Sequence, residues 1–288
     1  MPNGADPDAS LPALCRDPPA NTGAPAQTLP QAIPSGGVNL NAVLYTAAGE
    51  GPHPTILLLH GLPGNEQNID LAQAIRRAGW NVLTIHYRGS WGSPGTFSFA
   101  HCREDAASAL DWLRSADGGC SSRVNPSRIV VIGHSMGGFV AVHLLAEQPA
   151  ILGAVLISGV DLGRSFGSAD KSRAAAEVDE NVGASAGLHI LAGTSPFALA
   201  EEARANAEQW SLRNYALRIA GRPLLMATCD DGFAGDSQAL ADALRHTAGD
   251  VQLRHFTTDH SYSDCRISLQ TFVLLGLPRN TVSADTGN

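Results

Sequence analysis

Ser135, the adjacent pair Asp230 and Asp231, and His260 are the residues of this chain whose types and spacing could do nucleophilic chemistry. A serine hydroxyl is a weak nucleophile until a base takes its proton, and an imidazole does so near neutral pH when a carboxylate fixes its tautomer. Ser135 stands in Gly133-His134-Ser135-Met136-Gly137, with the apolar run Val130-Val131-Ile132 before it and Phe139, Val140, Leu144 and Leu145 after it. Gly-x-Ser-x-Gly between a strand and a helix reads as a nucleophile elbow, because the glycines let the backbone turn sharply and push the hydroxyl over the helix's first turn. There the helix dipole and free N–H groups suit an oxyanion. In a chain with 30 glycines the pentapeptide alone is weak, and the strand and helix flanking it give it weight.

The elements that position these residues follow from hydrophobic periodicity. Residues 29–46 hold two extended stretches broken by Ser35-Gly36-Gly37, which predicts a hairpin. Residues 55–59 are Thr-Ile-Leu-Leu-Leu, as in a strand buried on both faces, and the loop His60-Gly61-Leu62-Pro63-Gly64 follows. Ile69, Leu71, Ala74, Ile75 and Ala78 recur at helical spacing before Gly79, and residues 82–85 resume a strand. A Gly/Ser-rich loop from residue 86 leads into a helix carrying Ala106, Leu110 and Leu113, then into the strand and elbow. A helix over 137–147 and strands at 154–158, 223–228 and 251–256 complete the alternation, with a last helix carrying Ile267, Leu269, Phe272 and Leu275. Alternating strand and helix predicts a mostly parallel, doubly wound sheet whose site loops lie at the strand C-termini. Asp230 and Asp231 follow one such strand and His260 the next, so both end on the edge that carries Ser135.

From residue 161 to 221 the alternation lapses, and helices are expected at 172–178 and 197–215. About 60 residues is small for an independent core, so this insertion is expected to be a helical lid. Residues 1–26, rich in Pro, Ala and Asn, are expected to form a flexible tail before a domain spanning 27–288.

Composition narrows the function classes. With 44% apolar and 16% charged residues the chain is that of a globular domain, and its net charge of −8 and lack of a basic stripe argue against nucleic acid. No apolar run approaches a membrane span and the N-terminus lacks signal-peptide order, so a soluble protein is expected, cytoplasmic or secreted as a mature form. Five cysteines without Cys-x-x-Cys spacing argue against a zinc or dithiol site, and Cys229 and Cys265 are close enough to the site loops to be candidates for pairing.

The order Ser, Asp, His, together with the His60-Gly61 loop after the 55–59 strand, resembles the α/β-hydrolase superfamily over residues 27 to 277. His60-Gly61-Leu62-Pro63-Gly64-Asn65 and Tyr87-Arg88-Gly89-Ser90-Trp91-Gly92 look like its bacterial esterase and serine-peptidase-like branch. The resemblance implies that Ser135 is the nucleophile, His260 the general base and acid, and Asp231 the orienting carboxylate, with Asp230 the alternative. Alternation in extended chain lets only one of the two face His260, and the one deeper in the loop is favoured. The N–H groups of Leu62 and Met136 are expected to form the oxyanion hole, and His60 and His134 to be supporting residues. Trp91, Phe197 and Trp210 are expected at the substrate pocket. The implied activity is hydrolysis of short to medium carboxylic esters through an acyl-enzyme, with no metal or cofactor, by a monomer or homodimer. A peptidase or amidase of the same fold, and a catalytically silent binding scaffold, are the alternatives.

Overall fold

The computed structural model describes residues 12–166, 187–245, 247 and 250–278. Strands β1 (Gln27–Ser35) and β2 (Val38–Thr46) form the expected hairpin, turning at Gly36 and Gly37, both with positive φ. They lead into β3 (His53–Leu59), β4 (Asn81–Ile85), β5 (Val124–His134), β6 (Ala154–Ile157), β7 (Leu224–Thr228) and β8 (Val251–His255). The sheet runs β1-β2-β4-β3-β5-β6-β7-β8, with β1, β2 and β4 paired antiparallel and the rest parallel. After β3 the chain goes first to one side, to β4, and then to the other, to β5. That reversal opens a crevice beyond the strand C-termini, the usual place for a ligand in a sheet of this kind.

Both faces of the sheet are covered, which is why its central strands are apolar throughout. Leu57, Leu59 and Val131 face one layer, and Ile56, Leu58, Val130 and Ile132 face the other. On the first face lie α3 (Phe99–Arg114) and α4 (Met136–Glu147), which contribute Phe99, Leu110, Phe139 and Leu144. On the second lie α2 (Ile69–Arg77) and the last helix (Arg266–Gly276), which contribute Leu71, Ile75, Leu269 and Val273. Each such fully buried aliphatic side chain stabilises the fold by about 1.5–3 kcal/mol relative to exposure.

Two expectations are corrected by the packing. Residues 12–26 are laid on the domain: α1 (Pro12–Cys15) packs against α2 and the last helix with Ala13 buried, and Arg77 Nε donates to the Ala13 carbonyl at 2.6 Å. Arg123 then holds the carbonyls of Ala24 and Pro25, at 3.3 and 2.9 Å. The pairing of Cys229 with Cys265 is not made: both are thiols, and Cys229 is buried against polar partners described below.

The helix expected over 172–178 lies outside the described residues. The single helix expected over 197–215 is broken into α6 (Pro196–Ala205), α7 (Ala207–Trp210) and a 3₁₀ turn (Leu212–Tyr215), after a short α5 (Leu162–Phe166). The break has a local cause: Asp161 Oδ2 accepts the Leu212 N–H at 2.8 Å and the Ser211 hydroxyl at 3.1 Å, which draws the chain out of helix. Leu199, Trp210, Leu212 and, on α8 (Ala216–Ile219), Ile219 join the same core layer as α4, so the insertion is docked on the sheet domain. The helix after β7 is α9 (Ala234–Leu244), and the last helix is α10. Among the described residues no helix is long and apolar enough to cross a membrane.

Candidate active site

Strand β5 ends at His134, and the backbone of the next residue, Ser135 (φ 56°, ψ −121°), lies where L-residues are strained by about 1–3 kcal/mol. The neighbouring glycines make the turn possible. A Cβ on Gly133 would lie 2.0 Å from the Gly137 carbonyl oxygen, and one on Gly137 would lie 2.3 Å from that of Leu59. The loop after β3 passes so close to the elbow that a Cβ on Gly61 would lie 2.8 Å from Ser135 Cβ. The N–H groups of Leu62 and Met136 flank this contact and donate to no partner among the described residues. Met136 opens α4, so its N–H adds the positive end of a twelve-residue helix.

His60 fixes the direction of the Leu62 N–H. Its ring is buried, and burial pushes its pKa down to about 4, so it is neutral at pH 7. Its Nδ1 lies 2.7 Å from the Gly61 carbonyl oxygen, which can only accept, so Nδ1 carries the proton. With the Gly61 oxygen held on one side of a trans peptide, the Leu62 N–H points to the other. Trp91 braces the same loop, donating from Nε1 to the Pro63 carbonyl at 2.9 Å.

On the far side of Ser135, His260 Nδ1 donates to Asp231 Oδ2 at 2.8 Å. Asp231 is nearly inaccessible, its side chain 4% exposed, and it also accepts from Cys229 Sγ at 3.1 Å and from the Phe233 N–H at 2.9 Å. Burial raises the carboxyl's pKa, but the hydrogen bonds from His260, Cys229 and the Phe233 N–H outweigh it and hold Asp231 below the usual carboxylate range. Asp230 turns the other way, 55% exposed, and pairs with His255 Nε2 at 3.1 Å. The His260 carbonyl accepts from His134 Nε2 at 2.9 Å, and burial, with the nearby His260, pushes His134 down to about 3 and so keeps it a neutral donor.

Ser135 and His260 share the wall of a pocket of about 160 Å³, also lined by Gly61, Leu62 and Pro63. Ser135 Oγ is hydrogen-bonded to nothing among the described residues, so this common wall is what joins it to the imidazole. Asn65, Glu66 and Ser261 continue into a polar groove of about 500 Å³. Arg266 lies along that groove and ties the His260 loop to the start of α2, donating to the Ser261 carbonyl at 2.9 Å, to Asn68 Oδ1 at 3.0 Å and to Asp70 Oδ2 at 2.8 Å.

The family model described as alpha/beta hydrolase fold matches residues 54–260, more than half of the chain, including Ser135, Asp231 and His260. The chain belongs to the α/β-hydrolase fold family. Curated relatives of this α/β-hydrolase include an uncharacterized protein of Mycobacterium tuberculosis, 36% identical over 106 residues, which are 36% of this chain and 35% of that protein. The lysophosphatidylserine lipase ABHD12 of Rattus norvegicus is 34% identical over 104 residues, which are 35% of this chain and 24% of the lipase. The matches therefore span about a third or less of the curated relatives' length. Among solved structures, the Pyrococcus furiosus esterase Pf2001 superposes with a TM-score of 0.63 at 18% identity, covering 91% of this chain and 98% of that one. The metagenomic carboxylesterase EstE1 gives 0.61 at 19% identity, covering 94% and 95%. The Pyrococcus horikoshii acylaminoacyl peptidase gives 0.62 at 16%, covering 86% and 39%. At these identities the likeness is one of fold.

Three aromatic residues expected at the hydrolase's pocket are placed elsewhere. Trp210 is 2% exposed, its ring against Phe99 and Phe139 with centroids 6.2 and 5.3 Å away, so it is a core residue that anchors the insertion. Phe197 is 51% exposed at the start of α6, and neither it nor Trp91 lines the Ser135 pocket. What sequence reasoning missed is the support: Cys229, Ser158, and Tyr262 with Arg266 come from three separate stretches and form no motif. Among the described residues, the set of His, Cys and carboxylate groups with metal-ligand proximity is Cys229, Asp231 and His260, with ligand atoms within 4.8 Å of one another. Those atoms are already hydrogen-bonded to each other.

Proposed function

We propose that this α/β-hydrolase is a serine hydrolase of carboxylic esters, with Ser135 as nucleophile, His260 as general base and acid, and Asp231 as the orienting carboxylate. The observation that carries the reading is the 2.8 Å His260–Asp231 hydrogen bond opening onto the pocket that holds the strained Ser135. Asp231, ionised and buried, keeps the proton of His260 on Nδ1, which leaves Nε2 free to take the Ser135 proton as Oγ attacks the ester carbonyl. The tetrahedral oxyanion is received by the N–H groups of Leu62 and Met136, each contributing about 3 kcal/mol to lowering the barrier. His260 then protonates the leaving alcohol, and water repeats the sequence on the acyl-enzyme.

The pocket volume of about 160 Å³ is below the roughly 300–1,000 Å³ of drug-sized ligand sites, which supports short to medium acyl groups. The adjoining polar groove supports an alcohol portion that is itself polar. Relatives named as lipase, carboxylesterase and peptidase are compatible with the same chemistry on different leaving groups. The test is labelling by a fluorophosphonate, then turnover of p-nitrophenyl esters from acetate to palmitate alongside aminoacyl anilides. Labelling lost in Ser135→Ala, with acetate or butyrate turned over faster than palmitate, is expected. No labelling of the folded protein refutes the mechanism, and faster cleavage of anilides than of esters moves the activity to peptidase.

A further inference from the structure

Behind the carboxylate lies a buried polar cluster that the mechanism above does not use. Cys229, the residue after β7, is 1% exposed, and its Sγ lies 3.1 Å from Asp231 Oδ2, the oxygen that also accepts from His260 Nδ1. On its other side Sγ lies 3.1 Å from Ser158 Oγ, which in turn lies 3.1 Å from Tyr262 Oη. Burial pushes the Cys229 thiol up to about 12 and raises the Tyr262 phenol as well, so both keep their protons. Asp231 is anionic, which fixes the order of donors: Tyr262 O–H to Ser158, Ser158 O–H to Cys229, and Cys229 S–H to the carboxylate. Ser158 and Tyr262 both have left-handed backbones, φ 47° and 56°, a strained conformation for non-glycine residues. The thiol faces the carboxylate and is absent from the pocket wall, so it is not placed as a nucleophile.

We propose that Cys229, backed by Ser158 and Tyr262, is a positioning residue for the reaction: its S–H holds Asp231 Oδ2 in the plane that meets His260 and moderates how strongly the carboxylate draws on the imidazole. The inference rests on the serine-hydrolase reading. A thiol is a weak donor, so it orients the oxygen while leaving most of its charge available to His260. Removing it leaves Oδ2 with one side-chain partner and a more basic carboxylate. The other titratable groups around the pair are His134 on β5, Arg266 on α10, Asp259 beside His260, and Tyr262 itself.

The test compares Cys229→Ala, Cys229→Ser and Cys229→Val on p-nitrophenyl butyrate, each checked for folding by circular dichroism and melting. Cys229→Ala is expected to lower kcat about five- to tenfold, the effect of one hydrogen bond, with KM changed less than twofold. It is also expected to move the acid limb of the kcat/KM profile to higher pH. Cys229→Ser, which keeps a donor, is expected to recover kcat to within about threefold of wild type and to return the limb, while Cys229→Val is not. If Cys229→Ala does not fold, Ser158→Ala, which removes only the backing hydroxyl, is expected to move the limb the same way by less. Rescue by Val rather than Ser, or an unmoved limb in a folded alanine variant, overturns the proposal while Ser135-dependent turnover of wild type leaves the reaction standing. Absence of Ser135-dependent turnover in wild type overturns both.

Discussion

Replacing Asp231 by Asn keeps the side-chain shape but changes what it can accept, and the surroundings fix how the amide would sit. Oδ1 of Asp231 receives the Phe233 N–H at 2.9 Å and Oδ2 receives His260 Nδ1 at 2.8 Å. An amide has one oxygen for these two places. The backbone N–H of Phe233 cannot reverse its role, whereas a neutral imidazole can, by moving its proton from Nδ1 to Nε2. The amide oxygen therefore stays on Phe233, and Nδ2–H donates to an unprotonated Nδ1 of His260. The proton is then on the nitrogen that should receive the one from Ser135, and the base is lost without any movement of the backbone. A wrong tautomer of this kind lowers kcat by about 10⁴, or about 5 kcal/mol of barrier. Asp230→Asn, on a half-exposed side chain bonded to His255, should change kcat less than twofold. The assay is steady-state hydrolysis of p-nitrophenyl butyrate by both variants, with melting curves to confirm folding. A fall of less than tenfold in folded Asp231→Asn, or a larger fall in Asp230→Asn, refutes the argument.

Other consequences are equally direct. Because the Asp231 carboxyl is depressed below its ordinary value of 3.8, it stabilises the folded state above that pH and the contribution is lost as pH falls through the folded value. The melting-temperature gap between wild type and Asp231→Asn should thus be full at pH 7 and shrink toward pH 3, and a constant gap contradicts it. Gly61→Ala puts a methyl 2.8 Å from Ser135 Cβ and 3.3 Å from its Oγ, so kcat/KM should drop about 10²-fold through displacement of the loop that carries the Leu62 N–H; near wild-type turnover would show that this loop is not the oxyanion donor. Trp210→Ala should cost about 3–5 kcal/mol in urea unfolding, against about 0.5 kcal/mol or less for Phe197→Ala, and the reverse order would return Trp210 to the pocket.

The sheet was legible because its signals are local. The apolar runs at 55–59 and 129–132 announce strands buried on both sides, and the glycines around Ser135 announce the turn. That Asp230 and Asp231 turn to opposite sides, one to His255 and the other to His260, was legible for a related reason, since neighbouring extended residues alternate in direction. Trp210 was not, because an aromatic on a helix of the insertion has the same pattern whether it faces a pocket or the core beneath. Nor were residues 12–26, whose docking depends on Arg77 and Arg123 reaching carbonyls 64 and 98 or 99 residues away. The contacts of Ser158 with Cys229 and Tyr262 span 71 and 104 residues, and no spacing in the chain could announce them.

Part of the backbone strain gathers at and beside that cluster. Of the non-glycine residues with left-handed φ, Ser135, Ser158 and Tyr262 stand at the C-terminal edge of the sheet, each beside or one step removed from the His260–Asp231 pair. A residue in this conformation costs about 1–3 kcal/mol and persists only where its surroundings over-determine it. Ser135 is held by its own N–H to the Ile157 carbonyl, 2.8 Å, and by its carbonyl, which receives the N–H groups of Gly138 and Val160. Ser158 is held in the next strand end by its N–H to Ala227, 2.8 Å, and Tyr262 by its N–H to Asp259, 3.0 Å. Each is thus fixed by backbone bonds that leave its hydroxyl free to act elsewhere: Ser135 toward the pocket, Ser158 and Tyr262 toward the thiol that supports Asp231. Relieving the strain with glycine should therefore have opposite effects on stability and turnover. At Ser158, Ser→Gly removes both the strain and the hydroxyl, so melting temperature should hold or rise while kcat falls, and a variant that loses both together would place Ser158 among the packing residues instead.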